Sequence, residues 1–447
     1  MMNTPICDFV KTYANQNKIR MHMPGHKGAD YLGIEALDIT EVTGADSLYE
    51  ASGIIAESET NASTLFGCPT FYSTEGSSHC IRAMLYICLL NAKQKGLRPT
   101  VLAGRNAHKA FISAAALLDF DVRWIYPDES ESYLACTVTP EKVAEALFSM
   151  DKIPAAVYIT SPDYLGNVAD IQGIAEVCHR FGTLLAVDNA HGAYLKFLEP
   201  SQHPMDLGAD ICCDSAHKTL PVLTGGAYLH ISKTLNIISA KVKNALALFG
   251  STSPSYLILQ SLDMANKVMD ECYKEKLALT IKGVKDLKQS LSQKGYTVIG
   301  NEPMKITVST KKYGYLGDEL SKILAEQGIE WEFADSDYLV LMPSADTTPQ
   351  QFAQIEKIMT GIPEKAPVLT CPPKFALPSQ IMTVRAATLS TTEILPLSQC
   401  KGRVLAQPTV SCPPAVPILV SGEIIDEAAI KRFEYYGVDN LTVVSAF

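Results

Sequence analysis

The sequence predicts an α/β protein built around a mostly parallel β-sheet with helices on both faces. Between residues 75 and 231, short apolar or β-branched runs alternate with longer amphipathic runs, which is the pattern of alternating strands and helices. The strand candidates are apolar at nearly every position, as expected for strands that are buried on both faces. Because such sheets bind ligands at the carboxyl ends of their strands, polar residues just after these strands are the first candidates for a functional site.

The elements of this region follow one another in a regular order. The strand candidates are residues 100–103, 122–126, 155–160, 183–187, 210–213 and 226–231. The helix candidates are residues 78–91, 107–118, 140–149 and 171–181. A helix that connects two strands of one sheet lets those strands run parallel, so this order predicts a sheet built from strand–helix–strand units.

The second half of the chain has a different order of helix and strand candidates. A helical stretch spans about residues 256–294, and further strand and helix candidates follow at residues 305–309, 316–327, 338–342 and 348–360. Residues 363–378 contain five prolines and predict an extended linker. We therefore predict five parts: an N-terminal segment (1–60), a large domain (61–295), a small α/β domain (296–362), the linker (363–378) and a C-terminal domain (379–447).

Composition and charge exclude several functional classes. Hydrophobic residues make up 47% of the 447 residues, which is enough apolar surface for large cores. The net charge of −10 and the lack of a basic block argue against nucleic acid or an anionic membrane as a partner. No apolar stretch approaches the roughly 18–20 residues of a membrane span, residues 1–20 lack a signal-peptide pattern, and the twelve cysteines include no CxxC pair. We therefore expect a cytoplasmic protein with reduced cysteines.

The most informative stretch is DSAHKTL, residues 214–220, which directly follows the fifth strand candidate. It places Lys218 beside His217 at a strand end, and a pair of glycines, Gly225 and Gly226, follows. An isolated loop lysine is usually a solvated surface charge. A lysine beside a histidine at a strand end, with small residues around it, is a candidate to form a Schiff base. On this motif alone both interpretations stay open.

A second polar group ends the preceding strand candidate, where the sequence reads DNAHG from Asp188. An aspartate at this position could ligate a metal, cap a helix, or pair with the protonated ring nitrogen of pyridoxal phosphate. The cap is the simplest of these. Asp188 and Lys218 are nevertheless about one strand–helix–strand unit apart, so both groups are expected at one edge of the sheet, which strengthens the cofactor hypothesis.

Two further pieces suit the same cofactor. Gly76, Ser77 and Ser78 stand at the start of a predicted helix, where free backbone N–H groups and hydroxyls attract a phosphate. An ordinary helix cap is the alternative. His108 follows the first strand candidate and could lie against a pyridine ring, although a histidine there is often only a cap or a surface group.

Eight motifs then occur in the order and spacing of one known family. They are HMPGHKG (22–28), GADSLYEASGIIAESE (44–59), TEGSSH (74–79), RNAHKA (105–110), SPDYLG (161–166), DNAHGAYL (188–195), DSAHKTLPVLTGGAYLH (214–230) and STSPSY (251–256). Through them the chain resembles the ornithine/lysine/arginine decarboxylases, which are pyridoxal-phosphate enzymes with the aspartate-aminotransferase fold. Its length resembles the short Gram-positive-type members of that family, which lack an N-terminal receiver-like domain.

The resemblance implies a role for each motif residue. Lys218 would bind the cofactor covalently, Asp188 would pair with its ring nitrogen, and His108 would stack on its ring. Ala190 would pack behind the ring, and the phosphate would be held by Ser77, Ser78, Ser215 and His217. Thr252 would complete this phosphate site from the neighbouring subunit of a homodimer on which residues 1–60 pack. Gly76, His191 and Asp163 complete the candidate cofactor contacts.

Three departures from the family pattern concern the substrate side. Asp163 stands where the family has a threonine in its SP-T-Y segment, and RAA (385–387) replaces R-E-A. CPPAVP (412–417) replaces Y-P-P-G-x-P, although Gly422 and Glu423 follow as in the family. We expect the cofactor contacts to be more faithful to the family than the substrate contacts.

The resulting expectation is decarboxylation of arginine, lysine or ornithine to a polyamine precursor, with Lys218, His217 and Asp188 as catalytic residues. Lys218 or His217 would return a proton to Cα. The alternatives are another pyridoxal-phosphate reaction, such as transamination or a lyase step, or a cofactor-binding protein with a drifted substrate site. An aminotransferase would need an arginine for the α-carboxylate, and Arg385 is the one candidate. Nicotinamide and nucleotide cofactors are weak alternatives, because neither GxGxxG nor GxxxxGK[ST] is present. HExxH is also absent, and no metal site is expected.

Overall fold

The computed structural model describes residues 2–128, 132–374, 377–408 and 414–445. The strands in these ranges are β1 (Thr70–Ser73), β2 (Arg98–Gly104), β3 (Asp121–Ile125), β4 (Pro154–Thr160), β5 (Leu184–Asp188), β6 (Ile211–Asp214), β7 (Ala227–Ile231), β8 (Thr297–Ile299), β9 (Ile306–Ser309), β10 (Phe333–Ala334), β11 (Tyr338–Leu341), β12 (Thr392–Pro396), β13 (Leu405–Gln407) and β14 (Asn440–Val444). The helices are α1 (Pro5–Asn15), α2 (Ile54–Phe66), α3 (Gly76–Gln94), α4 (Lys109–Leu118), α5 (Pro140–Phe148), α6 (Ile171–Phe181), α7 (Ala216–Thr219), α8 (Ser239–Ala247), α9 (Tyr256–Glu271), α10 (Tyr273–Lys294), α11 (Gly317–Glu326), α12 (Pro349–Gly361), α13 (Val384–Thr388) and α14 (Glu427–Tyr435).

Seven of the described strands form one large sheet in the order β1-β7-β6-β5-β4-β2-β3. β2 pairs in parallel with β3, and β5 with β6. β7 runs antiparallel to both β6 and β1 at one edge. β5 and β6 are buried at every position, which explains their continuous apolar sequences. The α/β fold with a mostly parallel sheet is confirmed.

The six predicted strands of this sheet are present within two residues of their predicted bounds, and the sequence analysis missed one, β1. β1 has only four residues and pairs antiparallel with β7, with Thr70 opposite His230. It precedes the strand–helix alternation that made the other strands recognisable. A short antiparallel edge strand lacks that context, so its four residues do not stand out from a loop.

The long helical stretch predicted over 256–294 is two helices, α9 and α10, because the backbone leaves the helical region at Cys272 (φ −148°). Directly after this break, Tyr273 is buried, and its hydroxyl donates a hydrogen bond of 2.9 Å to the carbonyl of Thr219. The ring of Tyr273 also packs edge-on against Phe197. The apolar periodicity continues through the break, so the sequence pattern does not reveal it.

Threonine caps set the starts of two helices that the sequence predicted. Thr139 Oγ1 accepts from the N–H of Lys142 at the start of α5, and Pro140 occupies the first helical position. Thr348 and Gln351 form a reciprocal capping box at the start of α12. Proline at the first helical position costs no hydrogen bond, because the N–H group it lacks would have no partner within the helix. A capping hydroxyl accepts from an N–H group that would otherwise be unpaired.

The chain divides into two compact units. The first comprises Met1–Arg98, Ala155–Val157 and Ile171–Glu275, and the second comprises Pro99–Pro154, Tyr158–Asp170 and Lys276–Phe447. The five-part division predicted from the sequence stays a prediction. None of the helices in the described ranges combines the length and the apolar character that a membrane span needs.

The second unit contains two smaller sheets, each with its own core. Within the described residues, one is antiparallel with the order β10-β11-β9-β8, and the other has the order β12-β14-β13. The first core is centred on Leu320, Val308 and Leu339. The second is centred on Leu405, Phe433 and Leu441. The predicted small-domain elements at 305–309, 316–327, 338–342 and 348–360 correspond to β9, α11, β11 and α12.

Candidate functional site

The loops after β5 and β6 lie side by side in the first unit. The two strands are parallel neighbours, and Asp188 at the end of β5 is opposite Cys213 of β6. The residues that follow, including His191 in one loop and Lys218 in the other, therefore leave the sheet at the same edge. This is the edge at which α/β sheets hold their ligands.

The lysine of the DSAHK motif points at the other loop. Lys218 lies in α7, a single turn, and its Nζ is 2.8 Å from Nε2 of His191. His191 is buried and Lys218 is half-buried. A lysine amine held against an imidazole at a strand end is not the solvated surface charge that was the alternative for this motif.

Asp188 is buried at the base of this arrangement, with 2% of its surface exposed. Its Oδ1 accepts a hydrogen bond of 3.2 Å from the N–H of Ala190 and lies 3.8 Å from the Cys213 thiol. The contact to Ala190 is the local turn-capping role that was weighed for this residue. A capping bond to one oxygen and a charge contact to a bound ring nitrogen are compatible roles for one carboxylate.

His217 is held in one orientation by the glycine turn. Its Nδ1 is 3.0 Å from the carbonyl oxygen of Gly226, which can only accept, so Nδ1 carries a proton. Burial lowers the pKa of His217, and the charge of Lys218 lowers it further. At neutral pH the ring is therefore neutral, and its Nε2 presents a lone pair.

Two glycines make that turn possible. Gly225 has φ +101°, and a Cβ there would come within 2.9 Å of the Thr74 carbonyl oxygen. A Cβ on Gly226 would approach Val222 Cγ1 to 2.3 Å. Larger residues at either position would force the backbone away from His217, which is why glycine is needed here.

The start of α3 forms a second part of the site. The N–H of Gly76 donates to the Gly225 carbonyl at 2.7 Å, which ties α3 to the glycine turn. Ser77 Oγ and Ser215 Oγ meet at 2.7 Å, although they come from different loops, and Ser78 is half-buried in the same turn. Within the described chain no side chain caps the start of α3, and a Cβ on Gly76 would meet nothing within 4 Å. Uncapped N–H groups, two converging hydroxyls and open space suit a phosphate group.

Two predicted site residues, His108 and Asp163, lie in the second unit. His108 precedes α4, and its Nδ1 accepts from the N–H of Ala110 at 3.1 Å. Asp163 is buried, and its Oδ1 accepts from the N–H groups of Leu165 and Asn167, each at 2.9 Å. Burial raises the pKa of Asp163 to about 6. Both residues thus brace their own loops, and their roles toward a cofactor stay predictions.

Thr252 is exposed in the loop before α9. The N–H of the preceding residue, Ser251, donates to a carboxylate oxygen of Glu75, the residue before α3. The loop of Thr252 is therefore tethered to the helix start of its own chain. Its predicted contact with a neighbouring subunit stays a prediction.

Arg385 contacts the C-terminal turn of α4. Its Nη1 donates to the carbonyl oxygens of Ala116 (2.9 Å) and Leu117 (3.2 Å), in the last turn of α4. A cation at this end of a helix satisfies its last carbonyls and opposes the helix dipole. Ala386, where the family has glutamate, is exposed in the first turn of α13.

The C-terminal motif contacts the loop of His108 within the second unit. Arg105 and Glu423 form a buried ion pair of 2.9 Å, and Arg105 also donates to the carbonyls of Pro417 and Ile418. The carbonyl of Ala415 accepts from the N–H of Lys109 at 2.8 Å. Sequence reasoning retained Glu423 as a family residue but did not find this pair. Residues 412 and 413 of the altered motif lie outside the described residues.

Ala415 has φ +55° and is buried, so it holds a backbone conformation that favours glycine. We expect Ala415→Gly to raise the free energy of unfolding by about 1 kcal/mol, because the left-handed region penalises a Cβ. Denaturant unfolding of the two proteins measures the difference. As a control, Ala428→Gly, in a helical first turn, should instead destabilise the chain. A loss of stability in Ala415→Gly would contradict this interpretation.

Sequence reasoning missed one buried cluster beside the site: Asp214 with His203 and His230. Asp214 and His230 are the first and last residues of the longest motif, so a signal was present. His203 lies in a loop with no recognisable pattern, and the contact with it depends on the fold.

Comparisons with known proteins relate the chain to one family and one fold. The family model of the Orn/Lys/Arg decarboxylase major domain matches residues 4–313, and that of the C-terminal domain matches residues 372–439. An arginine decarboxylase of Halalkalibacterium halodurans is 30% identical over 463 residues, covering 95% of this chain and 91% of the relative. The uncharacterized protein YaaO of Bacillus subtilis is 29% identical, covering 96% of this chain and 94% of its own. The lysine decarboxylase LdcF of Francisella novicida shares the fold, with a TM-score of 0.80 at 16% identity over 99% of this chain and 81% of its own.

Proposed function

The chain belongs to the Orn/Lys/Arg decarboxylase family, as its motifs predicted, and we propose that it decarboxylates a basic L-amino acid at Lys218 with pyridoxal phosphate as cofactor. The contact of 2.8 Å between Lys218 Nζ and His191 Nε2 supports this most directly. This contact would hold a nucleophilic amine after the end of one buried parallel strand, and the neighbouring strand ends in the buried carboxylate of Asp188.

The residues of the first unit fit the proposed cofactor. Ser77, Ser78 and Ser215, with the uncapped start of α3, would hold its phosphate. Asp188 would hold the proton on its ring nitrogen, and Ala190 would line the ring. When bound, pyridoxal phosphate supplies an electron sink for the pair that remains on Cα after carbon dioxide leaves.

The residues of the site would contribute a proton donor for Cα and an environment shielded from water. Lys218 can return a proton from Nζ to Cα, whereas neutral His217 has a lone pair on Nε2 and its one proton on Nδ1, at the Gly226 carbonyl. We therefore propose Lys218 as the proton donor, with its amine oriented by His191, and His217 as a neighbouring catalytic residue that the Gly226 carbonyl holds in place. Asp188 and His191 are buried, and a site shielded from water would favour loss of a carboxylate.

Transamination is the second candidate, and the position of Arg385 disfavours it. That side chain was the one arginine nominated to bind an α-carboxylate, and it donates to the last carbonyls of α4 instead. A cofactor-binding protein with a drifted substrate site is the third candidate. The products formed during turnover distinguish decarboxylation, transamination and cofactor binding without a reaction.

A product assay tests the proposal. The purified protein with pyridoxal phosphate is given L-arginine, L-lysine, L-ornithine and two neutral amino acids, each labelled at the carboxyl carbon, with and without an unlabelled 2-oxo acid as the amino acceptor that transamination requires. We expect labelled carbon dioxide and an equimolar amine from at least one basic substrate, with arginine the first to test because several relatives carry that name. A 2-oxo acid with retained label would establish transamination, and no product at all would leave only cofactor binding.

The substrate preference should respond at Ala386. We expect Ala386→Glu to change the ratio of kcat/KM among the three basic amino acids by about tenfold or more, because an acid can pair with a distal cation. Ala386→Gln has the same size without the charge and serves as the control. An unchanged ratio in both variants would show that this departure does not affect specificity.

We further propose that the protein is a homodimer. The segment of residues 19–34 exposes large apolar side chains, with Ile19 and Met21 each 88% exposed and Leu32 81% exposed. Apolar residues concentrated on one exposed segment are typical of a protein interface. This supports the prediction that residues 1–60 pack on a partner subunit.

Subunit mixing tests whether Thr252 serves a partner's site. Hybrids of Lys218→Ala and Thr252→Glu subunits should regain about a quarter of wild-type activity, because a shared site leaves one intact site in each mixed dimer and half of random dimers are mixed. If Thr252 acts within its own subunit, verified hybrids should show no recovery, as would be consistent with the Ser251–Glu75 tether.

We also propose a cytoplasmic location. The cysteines in the described ranges are free thiols, and most of them are buried in apolar surroundings. Free thiols are typical of a reducing compartment.

A further inference from the structure

Asp214, His203 and His230 form a charged cluster with no solvent exposure in the first unit. Asp214 Oδ2 lies 3.1 Å from His203 Nε2 and 3.0 Å from His230 Nε2. A buried carboxylate is costly unless it is paired and hydrogen-bonded. The positions of the protons in this cluster therefore decide what it contributes.

His230 has polar partners at both ring nitrogens. Nδ1 lies 2.9 Å from the Thr70 hydroxyl oxygen and 4.0 Å from the Cys68 thiol. On the other side, Nε2 faces the Asp214 carboxylate, which can only accept, so Nε2 carries a proton. Burial opposes the charge on His230, but the Asp214 carboxylate raises its pKa overall.

The hydrogen bonds around His203 assign different roles to its two ring nitrogens. The N–H of Met205 donates to His203 Nδ1 at 3.3 Å, so that nitrogen has no proton. The ring proton is on Nε2 and is donated to Asp214. Asp214 thus accepts a hydrogen bond from each imidazole, and the charges and hydrogen bonds of these two side chains lower its pKa well below the ordinary value despite burial.

The second oxygen of Asp214 controls the neighbouring loop. Asp214 Oδ1 accepts from Asn189 Nδ2 at 2.7 Å, and Asn189 is the residue after Asp188. The Asn189 side chain occupies the space that a Cβ on Gly192 would need, since Oδ1 would lie 2.0 Å from it. Asn189 therefore determines the path of the loop that carries His191.

We propose that Asp214 is a positioning residue whose carboxylate joins the loop of Asp188 and His191 to the loop of Lys218. Its side chain holds Asn189 in one loop, and its backbone leads directly into Ser215 and α7 in the other. The inference rests on the proposed function, because it assigns both loops to the cofactor. The hydrogen bond of 2.7 Å between Asn189 Nδ2 and Asp214 Oδ1 is the contact that joins the two loops.

The three side chains could also be metal ligands, since their ligand atoms lie within 4.8 Å of one another. The hydrogen bonds argue against this, because both contacts to Asp214 Oδ2 are complete N–H donations. A bound transition metal would replace those protons. Metal content is therefore an outcome of the test.

The test is a double-mutant cycle between Asp214 and Asn189. Asp214→Asn, Asn189→Ala and the double variant are compared in kcat, KM and the dissociation constant of pyridoxal phosphate from the apoprotein. Each single change should lower kcat by about tenfold or more with KM changed less than about threefold, and the double variant should be no worse than the poorer single one. Weakened binding of pyridoxal phosphate to the apoprotein is the readout that is independent of turnover.

Asp263→Asn is the matched control. Asp263 is as deeply buried, but its carboxylate accepts from Ile6, Cys7 and Ser58 at α1 and α2. It should lose stability without losing kcat at temperatures where the protein is folded. If Asp214→Asn does not fold, Asn189→Asp carries the test, because it opposes two carboxylates and should harm cofactor binding more than Asn189→Ala.

Three results would overturn the inference. Additive losses in the double variant would show that the two residues act separately. Loss of stability with normal kcat and cofactor binding would leave Asp214 a purely structural role. One zinc ion per subunit, lost in Asp214→Asn, would make the cluster a metal site. A wild-type protein that binds no pyridoxal phosphate would instead contradict the proposed function itself.

Discussion

Replacing Lys218 with alanine should abolish decarboxylation while leaving the fold intact. Lys218 is half-buried in a single turn of helix, so its removal opens little of the core. Without its amine the protein loses both the covalent attachment and the proposed proton donor. We expect kcat/KM to fall by about four powers of ten, which corresponds to about 5 kcal/mol of barrier.

Lys241→Ala is the control for this result. Lys241 is an exposed lysine of α8 in the same unit, so its loss changes the net charge equally without touching the site. Its activity should match the wild type. Comparable activity in Lys218→Ala and Lys241→Ala would rule out the central role of Lys218.

Neutralising Asp188 should have the next largest effect. Asp188→Asn keeps the size and can keep the hydrogen bond from Ala190, but an amide cannot hold a proton on a bound pyridine nitrogen. We expect kcat to fall by about two to three powers of ten, about 3–4 kcal/mol of barrier, with cofactor binding reduced less. Steady-state kinetics and a titration of the apoprotein with pyridoxal phosphate measure the two effects separately.

Asp210→Asn controls for the loss of a buried carboxylate. Asp210 is also buried, directly before β6 and thus at the opposite edge of the sheet from Lys218, where it accepts from the N–H of Leu185 and contacts His179. It should lose stability but retain kcat in the folded protein. A fully active, cofactor-loaded Asp188→Asn protein would remove Asp188 from the mechanism.

The sequence predicted the large sheet because burial imposes a recognisable pattern on its strands. β4, β5 and β6 are buried almost throughout, so each is a continuous apolar run that a polar residue ends. That polar end is also where the site lies, which is why Asp188 and the DSAHK motif could be found together. Hydrophobic patterns did not predict β1 or the helix break at Cys272, because neither feature changes the local pattern of apolar residues.

The contacts that hold the site in place were less predictable. Asn189 and Asp214 each stand in a quoted motif, yet their hydrogen bond joins two loops that only the parallel pairing of β5 and β6 brings together. His203 has no motif at all. Long-range pairing of this kind depends on the finished fold, whereas strand and helix patterns depend on neighbours in sequence.

Family resemblance was informative about identity and less so about individual substitutions. Arg385 kept its family position, and the structure places it on the carbonyls of α4. Ala415 stands where the family resemblance implies a glycine, and its φ of +55° is a backbone conformation that favours glycine. In both cases the motif identified the residue, and the geometry supplied its physical role.

The most direct test of the central claim is to locate the cofactor covalently. Purified protein is incubated with pyridoxal phosphate, reduced with borohydride and digested, and the modified peptide is identified by mass spectrometry. The account predicts one stable pyridoxyl group per chain, on Lys218, and none on Lys241 or Lys243. A pyridoxyl group on another lysine, with Lys218 unmodified, would contradict it.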